Sequence, residues 1–453
     1  MYLNQLPIFK ELSPYSGGID TNNRWIKLAS LIPWEEMEGI YRRSFSKCKQ
    51  SVIKPGRLML GLMIGEMFVQ TDDRDILEYF HENPYFQYFC GQESFVPKID
   101  VKSICHPSLL SKRRKRLGKK YTSEFERLVL EMLKEKKMIK GNRLVLDATV
   151  FPVNISYPND VKLLNSTREW ACETILRVKQ LLDPALKIRT YRRVARRTYL
   201  SYCKKRRKKK VFINKTIKQM IRFTARNMAQ LESLLSELEI KCSAVTHIGK
   251  TSLGAIQITL HTAKIILEQK THRVSTRGAR IKDRIVSLHK PQVRPIVRGK
   301  EGKNVEFGAK TQVSNVDGFA FLDDCQYDNF NEGIRLASSL EKHRQRFGKL
   351  PNETLSDQIY ATRDNRALLA AEAIEHNWPD LGRPKSNPDE PTKKRKAATR
   401  KRQRQRNCIE GVFGTVKSHC NLEKITWSIS TGETMQVQLG LVTFNLRKAL
   451  NYA

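Results

Sequence analysis

Three acidic residues stand where a carboxylate could do chemistry. Asp147 lies inside LVLDATVFPV, Leu144 to Val153, a short apolar, β-branched run. Turn residues bound it, Gly141-Asn142 before and Tyr157-Pro158 after, so it reads as a buried strand. A carboxylate on so apolar a strand is costly unless it is paired, metal-bound or at the strand's open end. Asp357 closes a second short strand, ETLSD, and Glu410 lies on a basic helical stretch, RNCIEGVFGTVK. Brought together, three ionised carboxylates hold a pair of Mg²⁺ ions roughly 3.5–4 Å apart, with Mn²⁺ as a substitute. Such a pair activates a nucleophile and stabilises the leaving oxygen of a phosphodiester, and neighbouring Lys and Arg keep the carboxylates ionised. Each residue also has a plainer reading. Asp147 could face solvent at the strand tip, Asp357 could cap a helix starting near Ile359, and Glu410 could pair with Arg406 one turn away.

Composition narrows the partner. The 453 residues suffice for two or three domains, and 83 Lys+Arg against 46 Asp+Glu give a formal net charge of +37. That excess calls for a polyanion, and double-stranded DNA comes first because basic runs recur along the chain. No stretch approaches the ~20 apolar residues of a spanning helix, which argues against a membrane. Met1 to Lys10 lacks the pattern of a signal peptide, so a cytoplasmic, nucleoid-associated setting is expected. Nine scattered cysteines without a C-x-x-C pair argue for reduced thiols and against a zinc ribbon. The nine histidines show no ligand spacing either.

Several elements must position the three acids. Residues 1–50 form a lead-in, and residues 51–125 a helical domain. Its dense apolar helix, Leu58 to Phe68, stops at Thr71, which is placed to cap the next helix. Three short helices suit a helix-turn-helix-like DNA-binding module or, equally, a generic bundle. The basic run Lys112 to Lys120 tilts this toward DNA, with Lys112, Arg113 and Arg114 as phosphate contacts. Residues 161–289 read as a helical insertion. Two short apolar seams, one from Met228 to Leu238 and one from Leu253 to Leu267, suggest a helical hairpin bending near Gly249. Lys204, Lys205, Arg206 and Arg207, in its densest charge run, are assigned to phosphates. Gly249-Lys250-Thr251 lacks the first glycine and the preceding strand of a phosphate loop.

Strands return at Val305. VEFGAKTQV alternates, Asp317-Gly318 gives a tight turn, and Phe319 to Leu322 returns, followed by Asp323-Asp324, expected in solvent. Helices follow at 331–347 and 363–376, on either side of ETLSD. Then come a polar, Pro-rich loop to Lys396, a basic helix at 400–418 and a last helix at 434–450. Residues 126–160 and 290–453 thus form the catalytic domain. Without the insertion, the order is strand, hairpin, helix, strand, helix, helix. That is the order of an RNase H-like α/β (α+β) fold, a mixed sheet with its first and fourth strands side by side. Asp147 and Asp357 would then be neighbours.

Over most of its length the chain resembles the DDE transposases of bacterial insertion sequences, in the branch with an N-terminal helical domain. The resemblance rests on LVLDATV, VEFGAKTQVSNVDGFAFLDD, LSDQIYATRDNR and RNCIEGVFGTVK. Relatives carry a Tyr-Arg-Glu-Lys signature whose last three positions fall on Arg406, Glu410 and Lys417. Its tyrosine position holds Gln403, a departure. The resemblance implies Asp147, Asp357 and Glu410 as catalytic metal ligands, and Arg406 and Lys417 beside phosphates. It further implies binding of element ends, metal-dependent cutting and strand transfer, and a homodimer on DNA. Two rivals stay open: a nuclease that only hydrolyses, and a non-catalytic DNA-binding descendant of a transposase.

Overall fold

The strand carrying Asp147 lies inside a mixed sheet in the computed structural model, which describes residues 20–45, 53–92, 95–96, 104–241, 245–249, 251–276, 278–300, 303–382, 390–427 and 432–452. The fold is mixed α/β. It divides into two compact units, Met1–Asn154 with Ala309–Ala453, and Ile155–Gly308.

The first unit begins with helices α1 (Arg24–Leu31), α2 (Trp34–Arg43), α3 (Gly56–Val69), α4 (Asp75–Glu82), α5 (Pro84–Phe89) and α6 (Pro107–Glu135). Apolar on every side, α3 is buried almost throughout, as an all-round hydrophobic helix must be. Trp25 packs its ring 4.7 Å from Phe86 and 5.1 Å from Phe89, centroid to centroid. Thr71 is not the cap expected. Gln70 ends α3 in the left-handed region, and Asp72 Oδ1 accepts the N–H groups of Arg74 and Asp75, so α4 starts later. A carboxylate does this better than a hydroxyl at a positive helix end. The basic run lies within α6, which bends at Gly118 (φ 64°).

After β1 (Arg143–Pro152) the chain enters the second unit. It holds α7 (Asp160–Leu182), α8 (Arg192–Lys204), α9 (Lys210–Lys241), β2 (His247–Ile248), β3 (Thr251–Ser252), α10 (Leu253–Ser275) and β4 (Pro295–Lys300). Ala171 and Ile175 of α7, Leu231 and Leu235 of α9, and Leu260 and Ala263 of α10 share one core. The two seams read from sequence thus face each other across a hairpin. Its turn is the β2–β3 pair, with Gly249 at φ 64°. In α8, Ala195 alone is buried.

Strand β5 (Lys303–Val316) pairs antiparallel with β4 in its first part and returns the chain to the first unit. There follow β6 (Phe319–Gln326), α11 (Leu336–Phe347), β7 (Glu353–Leu355), α12 (Arg363–Ala371), β8 (Glu375–His376), α13 (Glu390–Arg406), α14 (Cys408–His419) and α15 (Gly432–Leu450). Single 3₁₀ turns lie at Glu332–Arg335 and Gln358–Tyr360. The strand order is β5-β1-β7-β8, with β6 on the far side of β5. Asp317 and Gly318, at φ 52° and 88°, make the left-handed hairpin turn that joins β5 to β6. β1 and β7 run parallel, Arg143 opposite Glu353 and Val145 opposite Leu355.

Some expectations change. The stretch 363–376 is not one helix: α12 stops at Ala371, and Glu375–His376 pairs with β7 as a further strand. Two residues are too few to show a period. α13 begins within the expected polar loop and is separated from α14 at Asn407. Asp323 is buried rather than solvated, 2.6 Å from Arg346 and holding the Ser314 hydroxyl. The helical region 51–125 lies in the same compact unit as the sheet. The reason is α15, buried on nearly all sides, whose Gln438 Oε1 accepts the Thr122 hydroxyl of α6 at 2.7 Å. Asn445 of the same helix exchanges two 2.8 Å hydrogen bonds with the Ala320 backbone of β6. Among the described residues no helix is long and apolar enough to cross a membrane.

Candidate active site

Strand alternation decides what Asp147 faces. Val145, on the same side of β1, packs with Leu355 of β7, Ile409 of α14 and the half-buried Phe413. Asp147 therefore looks toward the helices α13 and α14. The register that sets Arg143 opposite Glu353 carries Asp147, four residues on, to the level of Asp357, just past the end of β7. Asp357 is exposed there, and its Oδ1 accepts the N–H of Gln358, opening the 3₁₀ turn. The helix-capping alternative is thus part of its geometry, and it leaves the second oxygen uncommitted to that turn.

Arg406, the last residue of α13, joins the other two acids. Its Nη1 donates to Asp147 Oδ2 at 3.2 Å and its Nη2 to Glu410 Oε1 at 3.4 Å. Glu410, in the first turn of α14, is 65 % exposed, so its carboxylate can swing. Lys417, two turns along α14, donates to Thr149 Oγ1 on β1 at 3.0 Å and lies over the Phe151 ring. Burial pushes the Asp147 carboxyl up to about 6. The Ala148 N–H and Arg406 oppose that shift, while the charges of Glu332 and Asp357 reinforce it.

The donor set fits a hard divalent cation, since all three side chains offer carboxylate oxygens. Among the described residues, though, no three His, Cys, Asp or Glu side chains form a ready metal-binding group. The guanidinium of Arg406 stands between two of the acids and holds their charge.

Reading the sequence missed Glu332 and Lys310. Glu332 opens a 3₁₀ turn and pairs at 2.9 Å with Lys310, a nearly buried lysine of β5 that also donates to the Phe330 carbonyl. No local signal marked Lys310, which falls in register on the polar face of the alternating run VEFGAKTQV, with Glu306 and Gln312.

The other basic candidates fall in different places. Lys112 is exposed on α6, and Arg113 lies 4.5 Å over the Phe45 ring. Arg114 departs from its expected role: it is 4 % exposed, bound to Asp73 and Glu66 and stacked on Trp427. It belongs to the core and offers no face to a phosphate. In the second unit, Lys204 ends α8, Lys205 covers the Phe212 ring, and Arg206 and Arg207 are exposed. A groove of about 720 Å³ there is lined by Arg193, Arg196, Arg197, Lys204 and Lys205.

Residues 14–116 match the family model described as Transposase domain (DUF772). An uncharacterized protein of the nfe locus of Rhizobium meliloti is 28% identical over 151 residues, 32% of this chain and 69% of that protein. No solved structure matches. The chain is transposase-like.

Proposed function

We propose that the chain is a DDE-type DNA transposase that binds the ends of its insertion sequence, cuts them and joins them to target DNA. The observation that carries this reading is the parallel pairing of β1 with β7, which sets Asp147 level with Asp357 while Arg406 ties Asp147 to Glu410. The strand order β6-β5-β1-β7-β8 supports an RNase H-like core, since it places the first and fourth of these strands, in chain order, side by side. The match of residues 14–116 to a transposase domain supports an end-reading role for the N-terminal helices, helix-turn-helix-like in kind.

In this reading Asp147, Asp357 and Glu410 hold two Mg²⁺ ions, with Mn²⁺ as substitute. When bound, these ions supply an activated nucleophile and a stabilised leaving oxygen at the scissile phosphate. The chain's own residues do the rest. Arg406, whose planar donors reach both Asp147 and Glu410, would offer the same donors to a phosphate. Lys417, held by Thr149 on β1, adds a fixed positive charge two turns away. Lys112 and Arg113 on α6 and the cations around Lys204 to Arg207 track the backbone of double-stranded DNA. A homodimer would bring two such sites to the two ends of one element.

The test is alanine at Asp147, Asp357 or Glu410 in the full chain. Each variant should lose Mg²⁺-dependent cleavage by at least about a hundredfold, as expected when a metal ligand or its partner is removed, with end binding near normal. Loss of binding in step with cleavage would make these residues structural. Joining of pre-cut ends to target DNA separates a transposase from a nuclease that only hydrolyses.

A further inference from the structure

Gln403 stands where relatives carry tyrosine, and the structure gives it a different kind of work. Ser356, the residue before Asp357, is fully buried. Its N–H donates to Asn377 Oδ1 at 2.9 Å, and its carbonyl accepts from Asn377 Nδ2 at 2.9 Å. Its hydroxyl accepts from Trp378 Nε1 at 3.1 Å. Asn377 and Trp378 directly follow β8, so the stub after one short strand holds the end of another. Asn377 Nδ2 also donates to Gln403 Oε1, at 2.5 Å.

Amide orientations in this chain of bonds are fixed by the backbone. The Ser356 N–H can only donate, so the atom it meets on Asn377 is the oxygen, and the other is the nitrogen. Gln403 must then turn its oxygen toward Asn377. One residue earlier, Arg402 pairs with Glu353 of β7 and Glu375 of β8. α13 therefore holds the starts of both strands through Arg402 and the far end of β7 through Gln403 and Asn377, while Arg406, one turn on, reaches Asp147.

We propose that Gln403 is a positioning residue: through Asn377 it fixes the backbone at Ser356, and so the place at which Asp357 stands beside Asp147. This rests on the reading of Asp147 and Asp357 as one site. With β7 only three residues long, few ladder bonds hold its end. The amide clamp supplies what the strand lacks. In this chain the tyrosine position serves the protein rather than the DNA.

The experiment compares full-length wild type with Gln403→Leu, which removes the acceptor at similar size, and Gln403→Glu, which keeps it. Hydrogen exchange is followed at peptides covering Ser356 and, as a control of the fold, at β1. Mn²⁺ affinity and end-DNA affinity are measured alongside. The leucine variant should exchange about tenfold faster at Ser356, the worth of roughly one hydrogen bond, with β1 unchanged. Its Mn²⁺ affinity should fall about tenfold, as when the partner of a metal ligand is lost. DNA affinity should hold, and the glutamate variant should restore both readouts. Unchanged exchange at Ser356 overturns the proposal. So does a glutamate variant as impaired as leucine, or a loss of DNA affinity with normal Mn²⁺ uptake. A wild-type chain that takes up no Mn²⁺ sinks the metal-site reading instead, and exchange at Ser356 then decides the clamp alone.

Discussion

At the scale of single residues, charge burial follows two patterns in this molecule. Asp147 is partly buried and faces Arg406. Glu66 is more deeply buried and sits among other partners. It accepts Trp427 Nε1 at 3.0 Å and Arg114 Nη1 at 3.2 Å, yet Arg114 is already held by both oxygens of Asp73, at 2.7 and 2.6 Å. One guanidinium thus serves two carboxylates, and burial pushes the Glu66 carboxyl from its usual 4.5 up to about 8. The folded state then holds a proton that the unfolded chain releases. Stability from this group is complete below pH 4.5 and is lost as pH rises through about 8. Glu66→Gln, neutral at every pH, should remove that loss. Thermal unfolding of both proteins across pH 4–9 checks it: the variant should gain on the wild type through this window and level off above it. A constant difference would mean that Glu66 folds ionised.

At the scale of elements, α8 is the least self-sufficient helix in the second unit. It buries Ala195 alone and carries Arg192, Arg193, Arg196 and Arg197 on two successive turns. Like charges spaced i, i+4 each cost about 0.2–0.5 kcal/mol, so this face repels itself until a polyanion lies on it. No carboxylate among the described residues pairs with Arg193, Arg196 or Arg197. If these side chains meet DNA phosphates, replacing all three by alanine should flatten the plot of log affinity against log salt by about 2–3 units. The weakening should be equal for terminal and random duplexes, because phosphates carry no sequence. Anisotropy titrations between 50 and 200 mM salt, marks chosen because affinity for six to ten phosphates falls ~10³–10⁵ across them, measure the slope. An unaltered slope would take DNA off this face.

At the scale of the whole molecule, α15 is the organising element of the first unit. Its Gln436 Oε1 accepts the N–H groups of Thr426 and Trp427, and Gln438 and Asn445 satisfy α6 and β6. A helix buried all round can carry amides only when each completes a neighbour's bonds. From sequence, residues 51–125 are expected to form a helical DNA-binding domain of their own. The packing argues otherwise, since such a fragment loses α15 and leaves Glu66 and Arg114 without Trp427. We expect it to bind a hydrophobic dye and lack a cooperative melt, while the full chain does neither. A cooperative melt for the fragment would show that α15 is not needed.

Sequence by itself determined what local pattern can carry. Apolar runs marked β1 and α3, the alternating run with Asp317-Gly318 marked β5 and its turn, and the seams marked α9 and α10. The excess of basic residues, 83 Lys+Arg against 46 Asp+Glu, was legible from composition alone. Asp147 drew notice because a carboxylate inside a strand is locally anomalous, and Glu410 because its spacing from Arg406 and Lys417 resembles a signature of related transposases. Only tertiary structure decided the rest. β8 is two residues long and exists because β7 pairs with it. Arg114 looked like its basic neighbours, and only the fold sets it between Asp73, Glu66 and Trp427. The link from Gln403 to Ser356 passes through Asn377, which no spacing reveals. Local periodicity records which face a residue takes; which partner it meets depends on chain that arrives from far away.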